Sequence, residues 1–377
     1  MYNHIFVCPM CNWQSNPNIT LLRCQECNNP LQIKYNSNTH SLKIFSHLKN
    51  ISVMNPISDL SKYISLGEGN TPTIRLNNIF ADLNISLNAK LEFLNPTGSF
   101  KDRGSSMMLS MLKQMGVENI VEDSSGNAGG SISAYSSRAG IHAHIFVPKS
   151  APKPKVDQIK IYGAKTHSID GTREETTNAA EKFVEEKGFV YASHNLNPYF
   201  LEGTKITGYE IYDYFKNDMP DHIVIPVGNG SLYIGIWKAF RELQDSGLSL
   251  KLPKLHAIQT ENVMPIVSSF TGNNWNTSYA KPTIAGGIAV SKPPRIFEIM
   301  KVIKDSKGTA TSINESEISE YQIKLAQKEG IYCEPTCATS FAAIPKLVEG
   351  NVISSGEKVL IPITGFGLKD TAPNMCY

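Results

Sequence analysis

The most informative segment of the sequence is Asn95-Pro96-Thr97-Gly98-Ser99-Phe100-Lys101-Asp102-Arg103-Gly104. It places Lys101 on a polar turn, hinged by Gly98, where a helix is predicted to begin. A lysine that reacts with an aldehyde must present its amine in a partly desolvated place, where the amine can lose its proton. The stretch therefore predicts a Schiff-base lysine, and taken alone it fits an ordinary loop with a surface lysine equally well.

Three further polar segments lie where predicted strands end. They are Ser124-Ser125-Gly126-Asn127, Val227-Gly228-Asn229-Gly230-Ser231 and Thr364-Gly365-Phe366-Gly367-Leu368-Lys369-Asp370. The preceding strands are the apolar runs 119–123, 222–227 and 358–363, and helical patterns such as 173–187 and 317–329 alternate with runs of this kind. This alternation predicts an α/β fold with parallel sheets covered by helices on both faces. Ligands of such folds bind beyond the carboxyl ends of the strands, where the three segments fall.

The glycine-rich segment at 228–231 has the composition of a phosphate-binding loop. Small residues let backbone N–H groups approach an anion, and the dipole of the predicted helix at 232–243 favours negative charge at its start. A dinucleotide site would need a third glycine at position 233, which is Tyr233, so that fingerprint is not met. The remaining alternative is a simple strand-to-helix turn.

Together, and in this order, the four segments resemble the pyridoxal-phosphate (PLP) enzymes of the threonine synthase family. Matches at 66–72, 197–205 and 334–338 extend the resemblance over nearly the whole chain. It implies the fold of fold-type-II PLP enzymes, with two doubly wound domains and mostly parallel sheets. A larger, phosphate-binding domain would comprise 46–95 and 200–377, and a smaller domain carrying the lysine would comprise 96–199.

The resemblance also implies a role for each site residue. Lys101 would be the catalytic residue and would carry the cofactor. Asn127 would contact the cofactor's 3′-hydroxyl, and Thr364 would face its pyridine nitrogen. The 5′-phosphate would be held by the loop of Gly228, Asn229, Gly230, Ser231 and Leu232. The substrate carboxylate would be bound by the segment of Ser124, Ser125, Gly126 and Ala128.

The expected activity is that of a PLP-dependent lyase in amino-acid biosynthesis, acting on a small amino-acid substrate by elimination or replacement. The family default is conversion of O-phosphohomoserine to threonine and phosphate. One alternative is a β-replacement synthase or a serine/threonine dehydratase acting on a different, non-phosphorylated amino acid. Another is a non-catalytic binding or regulatory protein on the same fold.

Several departures from the family pattern favour a changed substrate. Ala128 stands where a threonine is usual, Phe200 where an arginine is usual, and Leu232 where an asparagine is frequent. The segment 284–290 also lacks an arginine often found near Ala289. Each lost charge-assisted contact to a phosphate would cost roughly 1.5–3 kcal/mol.

The N-terminal 45 residues are predicted to form a zinc ribbon. Cys8, Cys11, Cys24 and Cys27 form two CxxC knuckles, and four thiolates complete a tetrahedral, structural zinc shell. Short strands are expected at 20–23 and 30–35. The alternative is a degenerate ribbon whose cysteines bind no metal. Cys333 and Cys337 are expected to be packing residues.

Composition limits the partners. With 36 Lys+Arg against 34 Asp+Glu, the net charge is +2 and no basic block recurs, so neither nucleic acid nor an anionic membrane is an expected partner. No run approaches the roughly 20 apolar residues of a membrane span, and no signal peptide is evident, so a cytoplasmic location is expected. The family resemblance implies a homodimer.

Overall fold

The structure is a computed structural model that describes residues 2–36, 47–48, 53–248 and 251–373 of the 377. Cys376 and part of the predicted ribbon domain, residues 37–45, lie outside the described residues. The chain divides into two compact units. The first comprises Met1–Gly69 and Asn95–Thr207, and the second comprises Asn70–Leu94 and Gly208–Tyr377.

Strands and helices alternate along most of the described chain. The strands are β1 (His4–Val7), β2 (Gln14–Ser15), β3 (Gln32–Tyr35), β4 (Thr73–Arg75), β5 (Ser86–Lys90), β6 (Asn119–Glu122), β7 (His142–Pro148), β8 (Lys165–Ile169), β9 (Val190–Tyr191), β10 (His222–Pro226), β11 (Lys254–Thr260), β12 (Ala310–Ile313) and β13 (Lys358–Pro362). The helices are α1 (Lys101–Gln114), α2 (Asn127–Ala139), α3 (Lys153–Ile161), α4 (Arg173–Lys187), α5 (Pro198–Phe215), α6 (Ser231–Asp245), α7 (Pro265–Phe270), α8 (Ile296–Ser306), α9 (Glu315–Glu329) and α10 (Pro335–Glu349).

The first unit begins with a three-stranded antiparallel sheet in the order β2-β1-β3. The strand expected at 20–23 is wrong: this segment contributes one isolated bridge, Arg23 to Pro30. The physical reason is a turn at Asn18, whose side chain accepts hydrogen bonds from both the backbone and the hydroxyl of Thr20. The strand expected at 30–35 forms as β3, and β1 and β2 were not foreseen.

The main sheet of the first unit is parallel throughout, in the order β8-β7-β6-β9. Its central strands β6 and β7 are buried, and α2 and α4 pack against β7. The sheet order places β9 beside β6 although β7 and β8 intervene in sequence. The chain segments that follow β6 and β9 therefore leave the sheet next to each other, at its carboxyl edge.

The second unit is built on a six-stranded sheet in the order β12-β11-β10-β13-β5-β4. All pairs of neighbouring strands in this sheet are parallel except β4 and β5, which are antiparallel at one edge. Its core gathers apolar side chains of the central strands and of α10, which is almost wholly buried. The α/β fold with mostly parallel sheets is therefore confirmed.

Several helix ends follow from local sequence. Helix α4 begins at a capping box, in which Thr172 and Glu175 satisfy each other's backbone N–H groups, and it ends at Gly188 with φ of +67°. The predicted bounds of this helix, 173–187, are confirmed. Within the described residues, no helix is long and apolar enough to cross a membrane.

Candidate active site

Lys101 is the first residue of α1 in the first unit. Its side chain is half-buried, with Nζ 4.7 Å from the ring centroid of Phe100 and 5.8 Å from that of Phe200. Two aromatic rings therefore cover part of the amine and limit the water around it. The structure places this lysine at a helix start, as the sequence predicts.

Asp102 anchors the turn that precedes Lys101. Its buried carboxylate accepts hydrogen bonds from the backbone N–H and the hydroxyl of Thr97, both at 2.6 Å, and from the Ser131 hydroxyl at 2.6 Å. The first two contacts close the loop at 97–102, and the third ties it to α2. Three hydrogen bonds to one buried carboxylate hold the backbone at Lys101 in place.

Helix α5 packs backbone against backbone on the first turn of α1. A Cβ added to Gly203 would lie 2.0 Å from the carbonyl oxygen of Arg103, and one added to Gly104 would lie 2.4 Å from the ring of Phe200. Only glycine allows so close an approach. Phe200, which is fully buried, is thereby fixed beside Lys101.

The segment 124–128 forms the turn between β6 and α2. Ser124 is buried and its hydroxyl accepts a hydrogen bond from the N–H of Gly126 at 3.3 Å, whereas residues 125–127 are half-buried and Ala128 is buried. A Cβ at Gly129 would lie 1.9 Å from the carbonyl oxygen of Ser124, so the turn is held tightly against α2. Among the described side chains none caps the start of this helix, which begins at Asn127. The turn has the form of an anion-binding helix start.

The glycine loop lies in the second unit, between β10 and α6. Gly230 is the N-cap of this fifteen-residue helix with φ of +84°, and no described side chain caps the helix start. A Cβ at Gly228 would lie 3.1 Å from Cα of Ile288 and 3.2 Å from the carbonyl oxygen of Gly287. The loop is thus a cradle of backbone N–H groups without bulky side chains at its glycines, which fits a phosphate. Ser231 and Leu232 are buried on the first turn, and Asn229 is half-buried.

Thr364, also in the second unit, follows β13. Its hydroxyl donates a hydrogen bond of 3.0 Å to the buried carboxylate of Glu334, which precedes α10. Gly365 lies so close that a Cβ there would be 2.4 Å from the carboxyl carbon of Glu334. The Thr364 oxygen therefore has its proton directed to the carboxylate and keeps lone pairs that can accept a hydrogen bond.

Comparison with known proteins identifies the family. The family model described as "Pyridoxal-phosphate dependent enzyme" matches residues 64–365. A threonine synthase of Methanocaldococcus jannaschii is 37% identical over 319 residues, which cover 84% of this chain and 78% of that protein. The chain belongs to the threonine synthase family of PLP enzymes. A threonine synthase of a Bacillus species is 34% identical over 324 residues, covering 86% of this chain and 90% of that relative.

Solved structures agree on the fold of this threonine synthase family member. Serine racemase from Dictyostelium discoideum superposes with a TM-score of 0.67 at 25% identity, covering 84% of this chain and 96% of that one. A processed threonine deaminase from Solanum lycopersicum has a TM-score of 0.67 at 20% identity over 81% of this chain and 84% of that one, a likeness of fold alone. The fold-type-II PLP enzyme fold is confirmed, and so are PLP as cofactor and a PLP-dependent, threonine-synthase-like lyase activity. The non-catalytic alternative is thereby set aside.

The matched region contains every predicted cofactor residue from Lys101 to Thr364 and leaves the four N-terminal cysteines outside. The Sγ atoms of Cys8, Cys11, Cys24 and Cys27 lie within 4.8 Å of one another. Each knuckle is closed by an asparagine at positive φ, Asn12 at 62° and Asn28 at 58°, whose N–H donates to the first cysteine's carbonyl at 3.0 Å. A hydrogen bond from the Asn29 amide helps lower the pKa of the Cys27 thiol to about 6.

Sequence reasoning missed one buried pair in the unit that carries Lys101. Glu122, the last residue of β6, is fully buried and bonded to His194, which follows β9. The two residues are 72 positions apart in sequence. The only available signal was their location, because Glu122 lies just before the segment 124–128 and His194 just before the matched segment 197–205.

Proposed function

We propose that the chain catalyses elimination or replacement on the side chain of an amino acid, with conversion of O-phosphohomoserine to threonine and phosphate as the first candidate. The observation that carries this proposal is the position of Lys101, at a rigid helix start inside a region that matches the PLP enzyme family. The names of the relatives supply the first candidate.

Each predicted site residue has a proposed task. When bound, PLP would withdraw electrons from the α-carbon of the amino acid. The amine of Lys101 would remove the α-proton once it has been displaced from the cofactor. Ser124, Ser125, Gly126 and Ala128 would hold the substrate carboxylate with their N–H and hydroxyl groups. Asn127 would orient the 3′-hydroxyl, and the Thr364 oxygen would accept a hydrogen bond at the pyridine nitrogen.

The loop at 228–232 would hold the phosphate of PLP through backbone N–H groups. A substitution at Gly230 tests this role. In Gly230→Ala the new Cβ would lie 2.7 Å from the side chain of Ile299, on backbone with φ of +84°. The loop must shift, so we expect the dissociation constant for PLP to rise about tenfold or more, measured by fluorescence titration of the apoenzyme.

Gly247→Ala is the matched control for that variant. Gly247 follows the end of the same helix with φ of +89°, and among the described atoms none lies within 4 Å of its added Cβ. It carries the same backbone strain without the crowding, so its PLP affinity should match that of the wild type. If both variants bind PLP as tightly as the wild type does, the loop does not bind the phosphate.

A second candidate function is elimination or replacement on a non-phosphorylated amino acid. The specific observation is Phe200, a fully buried ring beside Lys101, where the family pattern carries an arginine. A ring in place of a guanidinium removes a charge-assisted contact worth roughly 1.5–3 kcal/mol to a phosphate. Ala128 and Leu232 are further departures that favour a substrate without a phosphate.

Product analysis separates the two candidates. Cofactor-loaded protein is given O-phosphohomoserine, and phosphate and threonine are measured; a parallel sample receives serine or threonine, and keto acid and ammonia are measured. Threonine with stoichiometric phosphate would support the first candidate. Keto acid from the hydroxy amino acids, without phosphate release in the first sample, would support the second. A cofactor-bearing protein that forms neither product would contradict both.

The four cysteines would bind structural zinc. Tetrahedral zinc with bonds of about 2.3 Å places its sulfurs about 3.8 Å apart, and the neighbouring Sγ pairs Cys8–Cys27 and Cys11–Cys24 lie 3.4 and 3.5 Å apart. This near fit supports the proposal. A homodimer, a cytoplasmic location, an amino acid as the small-molecule partner and the absence of a nucleic-acid partner stay predictions.

A further inference from the structure

A buried acid and a buried histidine meet at the carboxyl edge of the first unit's parallel sheet. Oε1 of Glu122 and Nδ1 of His194 are 2.6 Å apart, and the backbone N–H of His194 donates to Oε2 of Glu122 at 3.1 Å. Glu122 is 0% and His194 5% exposed. The contact is set by the sheet, because β9 pairs directly with β6 and brings residue 194 beside residue 122. None of the tasks assigned above uses this pair.

Burial favours the neutral form of both partners. Burial raises the pKa of the Glu122 carboxyl well above its usual range, and the charge of Asp123 acts in the same direction. The backbone N–H of His194 and the charges of Arg173 and Lys101 oppose this shift. Burial also lowers the pKa of His194 well below its usual range, helped by the charges of Lys101 and Arg173. In the neutral pair, the carboxyl O–H donates to Nδ1 and the ring carries its proton on Nε2. A protonated acid is thus linked through the imidazole to an N–H donor.

The pair lies close to the predicted reaction centre within this unit. The ring of His194 meets that of Phe200 edge-on, with 5.9 Å between centroids, and the same Phe200 ring is 5.8 Å from Nζ of Lys101. Glu122 is also only two residues from Ser124, where the substrate carboxylate is proposed to bind. An acid so placed can act on the side chain of an amino acid whose amine and carboxylate are held nearby.

We propose that His194 is the general acid that protonates a hydroxyl leaving from the substrate's Cβ, and that Glu122 positions His194 and resupplies its proton. This inference rests on the second candidate function and names its substrate class, the β-hydroxy amino acids. Hydroxide is a poor leaving group and needs a proton as it departs, whereas phosphate or chloride leaves without one. A buried acid next to the apolar Phe200 ring, which also neighbours Lys101, suits the first kind of leaving group.

The step balances in protons and electrons. The Cα–H bond breaks, its proton goes to the amine of Lys101, and its electron pair forms the second Cα–Cβ bond. The Cβ–O bond breaks, and its electron pair stays on oxygen, which takes the proton from Nε2 of His194. Nδ1 takes the carboxyl proton of Glu122, so the imidazole stays neutral and Glu122 becomes a carboxylate. Water leaves, and a proton from solvent restores Glu122.

Leaving-group dependence tests the proposal. In His194→Gln and Glu122→Gln holoenzymes we expect keto acid release from serine and threonine to fall by roughly 10²–10⁴-fold, the range of general acid catalysis. Release from β-chloroalanine, which loses chloride, should fall less than tenfold. His142→Gln is the matched control, an exposed histidine at the amino end of the neighbouring strand β7, and it should leave both reactions unchanged.

Two further readouts separate chemistry from a structural role. In Glu122→Gln without substrate, the pH midpoint of the absorbance band of the lysine-bound cofactor should stay unchanged, because a neutral group replaces a neutral acid. In His194→Ala, added imidazole should restore release from serine and leave β-chloroalanine unaffected. In the wild type, the rate with serine should fall as pH rises through the Glu122 pKa, since the deprotonated pair has no proton to give, and this limb should vanish in Glu122→Gln.

The contrary results are equally distinct. Equal losses with serine and β-chloroalanine, or a midpoint lowered by Glu122→Gln, would overturn the proposed role of the pair. Wild-type turnover of β-chloroalanine without turnover of serine or threonine would also overturn it, while leaving elimination intact. If the wild type releases no keto acid from serine, threonine or β-chloroalanine, the second candidate function is wrong, and this inference is wrong with it.

Discussion

Replacing Lys101 with alanine is expected to abolish turnover and covalent attachment of the cofactor. The amine has two proposed tasks: it would bind the aldehyde, and it would remove the α-proton. Loss of a positioned proton acceptor alone costs about 10²–10⁴-fold, and loss of covalent attachment adds to this. We therefore expect at least a roughly 10⁴-fold fall in the rate, together with loss of the visible absorbance band of the lysine-bound cofactor.

Lys113→Ala is the matched control, because Lys113 lies exposed on the last turn of the same helix. It should keep the wild-type spectrum and rate. Borohydride reduction followed by peptide mass spectrometry gives an independent readout, and the label should fall on the peptide that contains residue 101. A label on another lysine, or full activity in Lys101→Ala, would mean that the site has been assigned to the wrong residue.

The parts of this site that follow from sequence are those set by local signals. Lys101 begins a helix because Asp102 binds back to Thr97, an interaction that spans five residues. The turn at 124–128 and the glycine loop at 228–231 each join a strand to a helix, and glycine and serine mark such junctions. Each of these features could be predicted without knowing which strands are neighbours.

The parts that could not be predicted depend on strand order. Sequence order suggests that β9 follows β8 at an edge, whereas the sheet places β9 beside β6. That one topological fact brings His194 to Glu122. Neither residue belongs to a recognisable motif. Taken separately, each could equally be an ordinary surface residue. The ribbon strands β1 and β2 were missed for a different reason, since runs of four and two residues give too little periodicity to be recognised.

The second large effect is expected at the N-terminal cysteines. Cys24→Ser should lose the zinc that we propose is bound there, and with it the order of the ribbon, since structural zinc supplies folding free energy directly. Within the first unit, the ribbon contacts α5: the Tyr35 hydroxyl donates to Glu202 at 2.5 Å, and this carboxylate also binds the buried Lys205 at 2.5 Å. A disordered ribbon would remove a hydrogen bond from a buried carboxylate, at a cost of roughly 1.5–3 kcal/mol.

The loss of this hydrogen bond sets the expected fall in the melting temperature. For a unit of this length, 1.5–3 kcal/mol corresponds to a fall in the melting temperature of roughly 5–10 °C. The measurements are metal per chain by elemental analysis and the melting curve by circular dichroism. Met10→Ala is the matched control, because Met10 is 51% exposed and lies between the two cysteines of the first knuckle. It should keep both the metal and the melting temperature.

The same variant decides whether the ribbon serves structure or chemistry. Four thiolates would leave a bound zinc ion no open position, so Cys24→Ser should keep the absorbance band of the lysine-bound cofactor and most of the turnover well below its melting temperature. Loss of turnover in a protein that is still folded and still yellow would assign the metal to the reaction instead. A wild-type protein that contains no zinc and melts like Cys24→Ser would show that the ribbon holds its shape without metal, through the sheet β2-β1-β3 and its contacts to α5.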